Sequence, residues 1–230
     1  MGKLASRRVW RALMMCAMAS IMCSLGSVAS ARHHHHREAA TTSAVAGQFD
    51  YYLLSLSWSP SYCITHTEDT AQCTKGFGFV LHGLWPQNLG GGYPQSCATG
   101  AQLTPEAQAL GRTLFPSPKL IEHEWERHGT CSGMDAVSFF EAADRAMSVV
   151  HVPSAFEAPR ANLAMTEEQV IAAFRAANPA LPENGLTVAC SRDELSEVRV
   201  CLSKALAPMA CGRGVRSNCP NVVLQIPAAR

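Results

Sequence analysis

Several common signatures are missing from this 230-residue chain. No C-x-x-C pair occurs, which removes zinc ribbons and thioredoxin-type redox sites. No strong basic field occurs either. Lys and Arg number 19 against 18 Asp and Glu, and without residues 1–31 the balance is 15 to 18. A protein that coats nucleic acid without specificity needs clustered positive charge, so that class is excluded. Beyond one apolar run at the N-terminus, no segment is long and apolar enough to span a bilayer. There is no internal repeat and no linker dividing two domains. Disorder is excluded too, because 47% of the residues are hydrophobic.

The apolar run has the three parts of a secretory signal. Lys3, Arg7, Arg8 and Arg11 form a basic start, Ala12–Ala29 is uncharged, and Ala29-Ser30-Ala31 supplies small residues for cleavage after Ala31. The mature chain is then expected to be secreted or periplasmic, with no membrane contact. Residues 32–47 lack an apolar period and are expected to be a flexible leader, with His33–His36 as a solvated run. Residues 48–230 are expected to fold as a single domain. Ten cysteines less Cys16 and Cys23 leave eight, and an even number behind a signal peptide implies disulfides. Spacing alone does not choose among their pairings.

The pattern of elements predicts an α+β fold with a central, largely antiparallel sheet flanked by helices. Phe49–Trp58 alternates at Leu54, Leu56 and Trp58 and reads as a strand closed by Ser59-Pro60. Phe77–Leu81 reads as a second strand that delivers His82 at its end. Gly90-Gly91-Gly92 marks a loop. Helices are expected after the Thr104-Pro105-Glu106 start, over Lys119–Cys131, from Asp135, and over Thr166–Ala177 behind a capping box. Leu186–Cys190, Glu197–Leu202 and Val222–Ile226 return to strand character.

Two short segments concentrate chemistry: His82-Gly83-Leu84-Trp85-Pro86-Gln87 and His123-Glu124-Trp125-Glu126-Arg127-His128-Gly129-Thr130-Cys131. On a helix at about 100° per residue, His123, Glu124, Arg127 and His128 fall on one side. The second segment is not a zinc-protease motif, since H-E-x-x-H needs histidines four apart and Arg127 stands at that place. Two imidazoles, a carboxylate and a guanidinium suit phosphoryl transfer without a metal. One ring removes a proton, another donates one, and positive donors stabilise the charge that builds on phosphorus oxygens. The plainer reading, a buried ionic helix face, suits either segment alone and suits the pair poorly.

Together the segments resemble those of the ribonuclease T2 family, H-G-L-W-P and H-E-W-x-K-H-G-T-C, with Arg127 in place of the usual Lys. The resemblance runs from Phe49 to the end of the chain, and the lack of any N-x-S/T triplet fits a bacterial-type member. It implies a disulfide-stabilised T2-like fold and an endoribonuclease acting on single-stranded RNA with low base specificity, through a 2′,3′-cyclic phosphate to a 3′-phosphate. It implies no metal and no cofactor and no action on DNA; the chain is expected to be a monomer. By position, His128 resembles the general base, His82 the general acid, Glu124 and Arg127 stabilisers of the transition state, and His123 a phosphate contact. Trp85 and Tyr93 match positions that stack a base. Gln87 replaces an Asp found in fungal relatives, and Leu120 and Ile121 replace an aromatic pair at a second base site. The same resemblance pairs Cys63 with Cys73, Cys97 with Cys131, Cys190 with Cys219 and Cys201 with Cys211. His66 and His151 fall outside both segments and are expected to be ordinary surface or packing residues. The rival readings are a catalytically idle secreted recognition or toxin-like module on the same fold, and a zinc hydrolase.

Overall fold

Alternation along Tyr51–Trp58 (β1) sends Tyr52, Leu54, Leu56 and Trp58 to one side, where they meet the main core. The computed structural model describes residues 44–98 and 100–229. The signal segment, most of the leader and His33–His36 therefore lie outside the described residues. β1 pairs antiparallel with Phe79–Gln87 (β2) on one edge and with Glu194–Ser203 (β5) on the other. Leu186–Ser191 (β4) pairs with β5. Leu224–Ile226 (β6) meets β5 in the single parallel pair Glu194↔Gln225, and Leu163–Met165 (β3) pairs with β6. The sheet is thus largely antiparallel, as expected.

Six α-helices are present among the described residues: α1 (Ser59–Thr65), α2 (Thr70–Cys73), α3 (Pro105–Leu114), α4 (Pro118–Arg127), α5 (Ala136–Val149) and α6 (Glu167–Ala177). Thr104, Asp135 and Thr166 cap α3, α5 and α6 with side-chain oxygens, and Thr166 with Gln169 completes the capping box. α5 packs Phe139 and Phe140 into the core under β1 and β2. α6 adds Val170 and Phe174, while Ile171 is only half-buried.

Four disulfides join Cys63–Cys73, Cys97–Cys131, Cys190–Cys219 and Cys201–Cys211. The second ties the loop after β2 to the turn after α4. Two backbone donors reinforce that tie: Ser96 N–H to the Arg127 carbonyl at 2.9 Å, and Cys97 N–H to Thr130 Oγ1 at 3.2 Å.

Several expectations are corrected. Ser59-Pro60 does not simply close β1; Pro60 sits in the first turn of α1, where its missing N–H costs nothing. β2 does not stop at Leu81 but runs on to Gln87. It is an edge strand, and an edge tolerates Pro86. The helix expected over Lys119–Cys131 ends at Arg127, and a short 3-10 turn, Gly129–Cys131, follows. Val222 and Val223 are exposed and precede β6. β3, α1 and α2 were not foreseen.

Candidate active site

The second face of the sheet carries the site. Paired residues in antiparallel strands share a face, so Leu53 lies between Trp85 and Cys201, Ser55 between Gly83 and Arg199, and Ser57 faces Glu197. The register slips between Ser55↔Gly83 and Leu56↔Leu81, which leaves His82 as the extra residue of a β-bulge. Bulges bend a strand and re-aim a side chain. His82 is therefore presented from within β2, and its ring stays a third exposed.

α4 brings the second set. Glu124 faces inward with its carboxylate fully buried, while His123 is on the exposed side. His128 lies one residue past the end of α4, its N–H still bonded to the Glu124 carbonyl. It is the C-cap residue, where the chain leaves helical geometry for the 3-10 turn, and its ring is buried. Gly129 permits that turn, because a Cβ there would collide with Trp125 and Phe139.

Trp85 joins the sets. Its indole N–H donates to Glu124 Oε2 at 2.7 Å. Its ring lies 5.0 Å from His82, edge-on, and 5.2 Å from His128 at 30°. The Arg199 guanidinium covers it at 5.7 Å from the ring centre. Trp85 is thus mainly the post around which the two histidines are arranged. Gly83 is required beside it: any Cβ would occupy the space of the Glu124–Trp85 hydrogen bond.

The two rings are pushed in opposite directions. Burial opposes the charged form of His82, but the hydrogen bond and charge of Glu197, helped by Glu124, outweigh it and raise its pKa. Glu197 Oε1 lies 2.5 Å from His82 Nδ1. Burial pushes the His128 pKa down to about 3, with His123, Arg127 and His82 adding positive charge nearby. His128 is thus the neutral ring at neutral pH, and His82 holds its proton to higher pH than an ordinary imidazole. Burial also lifts the Glu124 carboxyl to about 7, against the opposing pull of His82 and the Trp85 hydrogen bond. Oε1 of Glu124 and Nδ1 of His128 are buried without hydrogen-bond partners among the described residues, a rare state for polar atoms.

Cavities open on both sides of this group. One, of about 430 Å³, is bordered by Trp85, Gln87, Tyr93, His128, Arg199 and Arg213 among others. All three expected base contacts therefore meet there, with Tyr93 the most exposed at 47%. The other, of about 370 Å³, includes His82, Leu120, His123, Lys119 and Ser57 in its wall. Ile121 does not reach it: that side chain is buried against Gly111 in the core. His66 stacks on Tyr62, a residue of the second cavity's wall, and the backbone of His151 is held by Asn178. Glu197 and Arg199 were missed from sequence. The available signal was their two-residue spacing on a strand whose intervening Val198 and Val200 are apolar.

Among the described residues no group of three His, Cys, Asp or Glu is placed to hold a metal ion, and no helix is long and apolar enough to cross a membrane.

The chain is similar to known proteins. The model of the Ribonuclease T2 family matches residues 49–211. A ribonuclease of Aeromonas hydrophila is 50% identical over 98 residues, 43% of this chain and 45% of that protein. A probable ribonuclease of Haemophilus influenzae is 30% identical over 180 residues, 70% of this chain and 61% of that one. The matched regions thus span about half to three-fifths of these two relatives. The crystal structure of RNase NT in complex with 5′-AMP superposes with a TM-score of 0.58 at 25% identity, covering 78% of this chain and 98% of its own.

Proposed function

The chain belongs to the ribonuclease T2 family, and on that premise we propose that residues 48–230 form a single catalytic domain that cleaves single-stranded RNA internally, with low base specificity and without a metal. The reaction is a transesterification. His128 takes the proton of a ribose 2′-hydroxyl, the 2′-oxygen bonds to the adjacent phosphorus, and the bond from phosphorus to the 5′-oxygen breaks as His82 gives that oxygen a proton. The products are a 2′,3′-cyclic phosphate and a 5′-hydroxyl. Slower attack by water, with the two rings in exchanged roles, gives the 3′-phosphate.

The observation that carries this reading is the opposite proton preference of two rings set around one indole, His82 at 5.0 Å and His128 at 5.2 Å from Trp85. A base must start empty and an acid must start loaded. Glu124 and Arg127 stabilise the five-coordinate phosphorus, and His123 contacts a phosphate oxygen. Arg127 keeps the charge of the usual Lys with a different shape. DNA has no 2′-hydroxyl and cannot react by this route. Low base specificity follows from stacking on the exposed Tyr93, since every base has a π-face. Gln87, whose amide both donates and accepts, selects no single base edge. Four disulfides support function in an oxidising space, secreted or periplasmic, and the reading takes the enzyme as a monomer.

The test is to incubate the protein with each RNA homopolymer and with single-stranded DNA, all in EDTA, and identify the ends by mass spectrometry. Cyclic-phosphate ends from several homopolymers, with DNA intact, are expected. Binding of RNA without cleavage would instead indicate the idle recognition module, and loss of cleavage in chelator would indicate a zinc hydrolase.

A further inference from the structure

β5 places Glu197, Arg199 and Cys201 on the face that carries the site, and Val198, Val200 and Leu202 in the main core. Neither Glu197 nor Arg199 belongs to the two segments that carry the chemistry. Both are tied to His82 nonetheless. Glu197 Oε1 meets His82 Nδ1 at 2.5 Å, and Oε2 accepts from Arg199 Nε at 2.7 Å and lies 2.6 Å from its Nη2. Both carboxylate oxygens are thus spent.

His82 reaches this carboxylate from the far side of β1. β2 and β5 flank β1, so a bond between them must pass over the middle strand, roughly twice the 4.8 Å strand spacing. The residues on that stretch of β1 are Ser55 and Ser57, small enough to leave the passage open. Burying a carboxylate on a sheet face is costly unless it is paired. The bulge, the two serines and the double clamp from Arg199 make this pairing a built feature.

We propose that Glu197 and Arg199 are positioning residues for the leaving-group acid, a role that rests on the acid–base reading of His82: the Glu197 carboxylate accepts the Nδ1–H of His82 and so commits Nε2 to the phosphate side, while Arg199 holds that carboxylate in place. The opposite ring nitrogen is then the one facing Glu124, with Nε2 4.0 Å from Oε1. Fixing one ring nitrogen by a carboxylate decides which tautomer the other presents.

The charged and titratable groups facing His82 are Glu197 and Arg199 from β5, Glu124 and His123 from α4, His128 just past the end of α4, and Tyr62, Asp69 and Lys119 around the adjoining cavity. Among these, Glu197 is the one in direct hydrogen-bond contact with the ring among the described residues. Burial alone would raise the Glu197 pKa, but the His82 hydrogen bond and charge, with Arg199, bring it down to about 2. It stays ionised across the working pH range.

Glu197→Gln keeps an acceptor oxygen and loses the charge; Glu197→Ala loses both. The measurements are the His82 titration by imidazole NMR without RNA, the pH profile of kcat/KM on a dinucleotide, and thermal unfolding. In Glu197→Gln the His82 midpoint and the alkaline limb of the profile should both move toward acid by about one unit. In Glu197→Ala kcat should fall by about 10–100-fold with KM changed by less than about threefold. If Glu197→Gln does not fold, Ser57→Val thickens the middle strand without changing a charge and should also lower the His82 midpoint. Lost thermal stability with an unmoved midpoint and an unmoved limb would overturn the positioning role alone. A wild-type protein that cleaves no RNA would overturn the functional reading and this role with it.

Discussion

The indole N–H of Trp85 and the carboxylate of Glu124 join β2 to α4 by a 2.7 Å hydrogen bond, made in the space that any side chain at Gly83 would fill. Gly83→Ala is therefore predicted to force the two elements apart. An overpacked site costs about 1–3 kcal/mol, read as a lowered Tm. Because the displaced groups flank both histidines, RNA cleavage should fall more steeply than stability. An alanine variant with unchanged Tm and kcat would show that the contact relaxes freely.

His82→Phe and His128→Phe keep ring volume and remove the proton carrier. Each should lower cleavage by about 10²–10⁴-fold, the usual worth of general acid or base catalysis. Circular dichroism should stay near wild type in both; Tm should too for His128→Phe, while His82→Phe removes a partner of the buried Glu197 carboxylate and should lower Tm. Near-normal cleavage by either variant would remove that histidine from the mechanism.

Glu124 links function to stability. Burial disfavours its charge and pushes its carboxyl up to about 7 in the fold from an ordinary 4.5. A pKa raised by folding means stability that is full below about 4.5 and lost as pH rises through about 7. Glu124→Gln has no such charge to bury. Its stability advantage over wild type should grow across that window to about 2–3 kcal/mol at pH 8, measured by denaturant titration at both ends. Turnover should fall more than binding weakens. A Tm difference independent of pH would contradict this account of the carboxyl.

Much of this was legible because the relevant physics is local. Thr104, Asp135 and Thr166 announce their helices by capping chemistry, and the Leu54, Leu56, Trp58 alternation fixes which face of β1 is core. The two segments gave His82, Glu124 and His128, which the fold brings around Trp85. What escaped depends on partners distant in sequence. The strand expected to end at Leu81 runs on through Gly83 and Pro86, because β2 is an edge strand with a bulge, where both are tolerated. His128 read as a helix residue because nothing nearby in sequence reveals that Gly129 packs against Phe139. Glu197 and Arg199 fell inside an expected strand with no role attached; the partner of Glu197 lies 115 residues away, at His82.

The Cys97–Cys131 bridge anchors the loop that follows Tyr93 to the turn that holds His128. Cys97→Ser with Cys131→Ser should cost about 2–4 kcal/mol in unfolding free energy. Below the new Tm the variant should bind dinucleotide substrates more weakly, because Tyr93 loses its tether. Full reduction of all four bridges should abolish activity by unfolding. Full activity in reductant would show that the disulfides do not hold the site together.

The pH profile of kcat/KM reports the ionisations of the free enzyme. His128, pushed down to about 3 by burial and by its positive neighbours, stays ready to accept a proton well into acid. His82, held up by Glu197 despite burial, keeps the proton it must donate until pH rises past its elevated pKa. Base competence is therefore lost only at low pH, and acid competence is lost on the alkaline side. Cleavage of a dinucleotide should persist at pH 4–5 and decline above neutrality, the reverse of an enzyme whose base is an ordinary histidine near 6.5. Relieving the positive surroundings of His128 should move the acid limb. His123→Gln removes its largest charged neighbour, so the limb should shift upward in pH. An acid limb already near 6.5 in the wild-type protein would mean that His128 is not the base.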